Sequence, residues 1–147
     1  AARDAQKSKA AAGELAEKFG GTTYAALGAL QAGKQSFEAG DLKTAKAQLS
    51  WAADNGKDEI KDIARLRLAA VLLDEKAYDE ALKQLDMGHA TAFAARFQEL
   101  KGDILGAQGK KVEALAAYKL AQIKSEGKTG VGSELLQQKI DSLGEAA

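Results

Sequence analysis

Residues able to do chemistry are few in this sequence, and their spacing does not gather them. His89 is the only histidine, so neither a histidine metal cluster nor a His–His acid–base pair can form within one chain. Cysteine is absent, which excludes disulfides, thiolate metal sites and thiol nucleophiles. "GALQAGKQ", residues 28–35, approaches the phosphate-cradling pattern G-x-x-x-x-G-K-[ST] but ends in Gln35. It also lies within a helical pattern rather than after a strand, so the helix would consume its N–H groups. "GKT" at 127–129 lacks the leading glycine, because Gln122 stands there. The acidic pairs Asp58-Glu59 and Asp79-Glu80 fall at helix starts, where they complement the helix dipole. The serines at 8, 36, 50, 125, 133 and 142 stand in no nucleophile-elbow context. The expectation is a chain without catalytic, cofactor or metal site, in which His89 and Gly88 mark a turn and Met87 fills core.

What remains is structure, and composition bounds it. A chain of 147 residues is long enough for one domain that buries roughly 70% of its unfolded surface. Hydrophobic residues make up 46% and charged ones 29%, proportions of a folded globular protein and not of a disordered one. The 21 basic residues are matched by 21 acidic ones, so the basic excess of a nucleic-acid binder is missing. No apolar run approaches the ~18 residues that a membrane span needs. Proline is absent and aromatics are 5%, while alanine, leucine, lysine and glutamate abound, and no period-two alternation is sustained. The chain is all-α.

Turn signals divide it into helices expected at 2–18, 23–39, 42–54, 58–75, 78–87, 91–108, 111–125 and 133–143, with a loop at 126–132. Thr22 or Thr23, Asp41, Asp58, Thr91 and Ser133 are the expected N-caps. Gly40 and Gly56 suit left-handed helix ends.

One packing unit recurs. Ala45, Ala81 and Ala114 stand 36 and 33 residues apart. Twelve residues before each is a small residue (Gly33, Ala69, Gly102), four after is a large one (Leu49, Leu85, Tyr118), and seven after is Ala52, Gly88 or Ala121. Small residues let two antiparallel helices approach, the large one fills the gap, and each pair must stack on another to cover its apolar face. A period of about 34 in this arrangement resembles the tetratricopeptide repeat. Proline at the end of the unit is missing, and Ala29, Arg65 and Gln98 replace its early aromatic, so the repeats are divergent. The expected fold is an all-α, tetratricopeptide-like helical solenoid: units at 23–57, 58–90 and 91–126 between an N-terminal helix (within 1–22) and a closing helix (133–143), as a single domain over 1–147.

A narrower resemblance rests on Phe19 with Thr23-Tyr24-Ala26-Leu27, on Leu66-Arg67-Leu68-Ala69, on Lys101-Gly102-Asp103 with Gly109, and on the closing "LLQQKIDSL". Across residues 14–143 the chain is similar to the periplasmic domain of the YfgM-type ancillary subunits of the SecYEG translocon. The resemblance implies a non-catalytic scaffold at the periplasmic face of the inner membrane, whose partners are the translocon and a PpiD-type periplasmic chaperone. It also implies a cytoplasmic tail and one membrane-spanning anchor preceding Ala1. A generic cytoplasmic repeat adaptor and an accessory domain of a larger enzyme are the alternatives.

In such repeats the first helix of each pair lines the inward face. Carrying that register over from the small residues gives Leu27, Leu30, Lys34 and Phe37 in the first unit. The second gives Ile63, Leu66, Ala70 and Leu73, and the third Arg96, Glu99, Asp103 and Gly106. The expected partner-binding surface is thus apolar in two units and charged in the third; the alternative reading is that the N-terminal helix, with apolar Ala12, Leu15 and Phe19, or a curled C-terminal helix covers that strip. Trp51 is expected to pack, and Tyr78 to anchor its helix.

Overall fold

Five residues before each recurring alanine the backbone turns left-handed: Gly40 at φ 81°, Lys76 at 63° and Gly109 at 80°. These turns punctuate the computed structural model, which describes residues 6–7, 10, 23–125 and 131–145. Among them are seven α-helices and no strand: α1 (Thr23–Glu38), α2 (Leu42–Asn55), α3 (Glu59–Asp74), α4 (Tyr78–Asp86), α5 (Ala94–Ala107), α6 (Lys111–Lys124) and α7 (Val131–Glu145). A 3-10 turn, Thr91–Phe93, leads into α5. Most of the helix expected at 2–18 and of the loop expected at 126–132 lies outside the described residues.

The first and third turns are closed by the same hydrogen bonds. Asp41 N–H donates to Ser36 O at 2.8 Å and Gly40 N–H to Phe37 O at 3.0 Å; Lys110 N–H donates to Leu105 O at 2.9 Å and Gly109 N–H to Gly106 O at 3.0 Å. Long and short bonds of this kind satisfy the last helical carbonyls and require a left-handed residue, which glycine adopts without steric cost. In the middle turn Lys76 carries a side chain into the same conformation, at a cost of about 1–2 kcal/mol. Lys76→Gly is therefore expected to stabilise the chain by about 1 kcal/mol after glycine's greater freedom in the unfolded state is subtracted. A higher urea midpoint checks this.

Some helix ends depart from expectation. Asp41 caps α2 as expected, its Oδ1 accepting from Thr44 N–H at 3.1 Å. Asp58 stands at the N-cap of α3 as expected, but at φ 52° its side chain makes no cap bond. Thr91 lies inside the 3-10 turn, and Ser133 inside α7, which starts at Val131. Gly56 is extended, at φ −71°, so its glycine is not there for a left-handed turn. A Cβ at Gly56 would stand 2.8 Å from Ile60 Cγ2; the absent side chain admits the following helix.

The chain divides into two compact units, residues 1–75 and 76–147. In the first, α2 packs against both α1 and α3, and α1 also meets α3. Ala45, Leu49 and Ala52 recur at four- and three-residue steps on α2 and are all buried. Opposite them α1 buries Ala25, Ala26, Ala29, Leu30, Ala32, Gly33 and Ser36. A Cβ on Gly33 would stand 2.7 Å from Leu49 Cγ, so the glycine sets how closely the two helices approach.

In the second unit α5 packs against α4 and α6, and α6 against α7. The third repeat reproduces the first. Ala114, Tyr118 and Ala121 are buried on α6, and a Cβ on Gly102 of α5 would run into the Tyr118 ring. The middle repeat is cut short at its end. Helix α4 stops at Asp86, Gly88 is exposed with open space where a Cβ would be, and Met87 is 43% exposed. Neither residue packs as expected, because the helix that would have turned them inward ends before them. Ala81 and Leu85 are buried as expected. His89 lies in the exposed turn, its ring 4.4 Å from that of Phe97.

Candidate partner-binding surface

The inward positions separate into three kinds. Leu27, at 49% exposure, and Lys34 are open to solvent, while Phe37, Ile63, Ala70 and Leu73 are half-buried. Leu30 and Leu66, expected on the surface, belong to the core at 7% and 6% exposure. The physical reason is that both helices are buried on more than one side: α3 buries Asp62, Ala64, Leu66, Leu68, Ala69, Val71 and Leu72, and α1 buries Ala25, Ala26, Ala29, Leu30, Ala32, Gly33 and Ser36. One stripe cannot contain that many buried positions, so the inward edge is drawn into packing.

The charged positions of the third repeat also have employment within the chain. Lys139, on α7, donates to Glu99 Oε1 at 2.9 Å and to Asp103 Oδ2 at 3.1 Å. The Tyr118 hydroxyl donates to Asp103 Oδ1 at 2.6 Å, and the Lys139 ammonium lies 5.9 Å from the Tyr118 ring centre. Beneath this network Leu136 packs with Tyr118 and Ala121, flanked by Ile140 and Leu143. The closing helix thus covers Glu99 and Asp103, and Arg96 alone of the three charged positions stays exposed, its guanidinium 5.7 Å from the Phe93 ring centre. A cleft of about 310 Å³ lies beside it, lined among others by Arg96, Glu99, Ser125, Ser133 and Leu136.

Lys139 is the residue that sequence reasoning missed. The available signal was a lysine inside the apolar spacing Leu136, Ile140, Leu143, because a cation on a helix's packing face demands a counter-ion there.

The electrostatics are mutual. Burial raises the Tyr118 pKa above its ordinary 10.0, and the hydrogen bond to Asp103 and the charges of Asp103 and Glu99 add to that. Burial by itself would lower the Lys139 pKa, but its hydrogen bonds to Glu99 and Asp103 and their charges outweigh this, and the net shift is upward from 10.5. Both groups hold their protons more tightly folded than unfolded. Their stabilisation is therefore complete below about pH 10 and is lost as pH rises through the folded values. Lys139→Met, which strands two half-covered carboxylates, is expected to cost about 1–2 kcal/mol near neutrality. The difference between variant and parent should shrink in urea unfolding at about pH 11.

Among the described residues no group of three or more His, Asp or Glu side chains could hold a metal ion, and no helix is long and apolar enough to cross a membrane. The organised feature of the chain is the repeat. Its sequence matches the family model for the tetratricopeptide repeat-like domain over residues 1–145. The chain belongs to that family. It is 39% identical over 131 residues to the ancillary SecYEG translocon subunit of Neisseria gonorrhoeae, an alignment covering 88% of this chain and 62% of that protein. The protein of the same name from Escherichia coli is 37% identical over 132 residues, covering 87% and 63%. That from Haemophilus influenzae is 34% identical over 137 residues, covering 92% and 64%. The chain spans somewhat less than two thirds of the length of these curated relatives. No solved structure matches it. The resemblance drawn from the sequence and these relatives agree.

Proposed function

We propose that this chain is the protein-binding domain of an ancillary translocon subunit, a scaffold that catalyses nothing. The observation that carries the reading is likeness over nearly the whole chain to three proteins of that name, at 34–39% identity, in a fold family built from stacked helix pairs. In this reading the domain stands at the periplasmic face of the inner membrane, tethered by an anchor on the longer protein. It holds the SecYEG translocon and a PpiD-type periplasmic chaperone near one another so that exported chains pass between them.

The expected binding positions that stay accessible carry the contact: Leu27 and Lys34, with the half-buried Phe37, Ile63 and Leu73, in the first unit, and Arg96 beside its cleft in the second. Apolar anchors supply affinity and the charges set specificity. Glu99 and Asp103 act indirectly, by holding the closing helix.

The test places a photo-crosslinking residue at Leu27 and at Arg96 of the full-length protein in cells and identifies the adducts. Adducts with translocon subunits and the chaperone support the reading, and Leu27→Asp and Arg96→Glu should weaken them while leaving the thermal midpoint unchanged. Recovery of cytosolic proteins alone would favour the generic adaptor and overturn it.

A further inference from the structure

Helix α6 carries a second, largely apolar side that is not buried among the described residues. Ala114, Ala117, Tyr118 and Ala121 point into the unit. At about 100° per residue the side of the helix opposite them bears Val112, Ala116, Lys119 and Ile123. All four are exposed, Val112 at 83% and Ile123 at 60%, and Leu120 beside them is 38% exposed.

The other repeats supply an internal control. Positions matching Val112, Ala116, Lys119 and Ile123 in the first repeat are Lys43, Ala47, Ser50 and Asp54. The small alanine is shared, but a lysine and an aspartate stand where the third repeat has valine and isoleucine. In the second repeat the first three positions are Asp79, Lys83 and Asp86, all exposed. Packing of the repeat therefore makes no demand for large apolar side chains there, yet the third repeat has them. Val112 and Ile123 stand about 16 Å apart along the ridge.

Charge identifies the occupant. Residues 110–124 hold four lysines (Lys110, Lys111, Lys119, Lys124) against Glu113 alone, in a chain whose net charge is zero. Lys110, Lys119 and Lys124 are exposed. We propose that this ridge of α6 seats on an anionic lipid surface, Val112 and Ile123 entering the headgroup boundary while Lys119 and Lys124 reach lipid phosphates. A bilayer has to present no complementary groove. Lysine stems can lie along the apolar boundary with their ammonium groups among the headgroups. A second copy is disfavoured, since pairing α6 with itself would bring like charges together. The inference concerns a surface separate from the partner-binding positions and does not depend on them.

Vesicle flotation of the 147-residue chain tests it. Partition onto phosphatidylcholine vesicles containing about 30% phosphatidylglycerol should exceed that onto pure phosphatidylcholine by about tenfold, and should fall as salt rises. Val112→Asp with Ile123→Asp should remove most of this binding, as should Lys119→Glu with Lys124→Glu. Lys43→Glu, on the matching ridge of the first repeat, should change it by less than about twofold. Should the aspartates disturb folding, Val112→Ser with Ile123→Ser is read instead.

No partition onto anionic vesicles overturns the proposal, as does partition that the Val112 and Ile123 variants leave unchanged. A concentration-dependent dimer abolished by those variants, without vesicle binding, makes a second copy the occupant and also overturns it. So does loss of translocon crosslinks in those variants without vesicle binding, which makes the occupant a protein. Because the vesicles contain no protein, failure of the scaffold reading leaves this result standing.

Discussion

Tyr118→Ala is expected to lower the unfolding free energy by about 3–5 kcal/mol. The ring is 6% exposed and packs with Ala121 and Leu136, with Ile140 and Leu143 at its edge. It also occupies the space that Gly102 leaves open. Alanine would leave a cavity bounded by two helices that are themselves well packed, and would remove the donor to Asp103. Tyr118→Phe separates the two contributions. It keeps the ring and deletes the hydroxyl, so it should cost only about 1–2 kcal/mol, because Lys139 still pairs with Asp103. Urea unfolding followed by circular dichroism measures both. If the phenylalanine variant loses as much as the alanine variant, the hydroxyl network and not the ring holds α7 in place. A loss below about 1 kcal/mol for alanine would refute the packing account.

Gly33→Ala and Gly102→Ala should each destabilise by about 1–3 kcal/mol. That reverses the usual sign, since alanine in a helix interior is ordinarily better than glycine by about 1 kcal/mol. At Gly33 the added methyl would stand 2.7 Å from Leu49 Cγ, and Leu49, at 1% exposure, has no room to swing away. At Gly102 it meets the Tyr118 ring, which the hydroxyl bond to Asp103 holds in place. The two contacts lie in different units, so their effects should add within about 0.5 kcal/mol. Leu49→Ala in the Gly33→Ala background gives a further check. The double variant should lose less than the sum of the singles, because the smaller side chain admits the methyl. Stabilisation by either glycine replacement alone would mean that the helices are not held at the distance seen.

In the first and third copies the packing unit was legible because its parts are local. A small residue, an alanine and a large residue at fixed steps specify which sides of two helices meet, and the helix ends fell within a few residues of their turn signals. Departures came where a neighbour distant in sequence decided the outcome. Leu30 and Leu66 read as inward-facing from register, but their helices are packed on more than one side. Glu99 and Asp103 read as partner-binding charges because their counter-ion, Lys139, stands 40 and 36 residues away. Gly88 fitted the spacing, yet α4 ends two residues before it.

The sequence by itself determined that the chain is helical, where its turns fall, and that Gly33 and Gly102 lie beneath Leu49 and Tyr118. Those follow from propensity, from the steric freedom of glycine and from a period that every helix obeys. Only the tertiary structure decided what each outward or inward side chain meets. It turned Glu99 and Asp103 into a latch for the closing helix and left Val112 and Ile123 of α6 uncovered. Burial and counter-charge depend on which elements come together in space, and no spacing along one helix contains that.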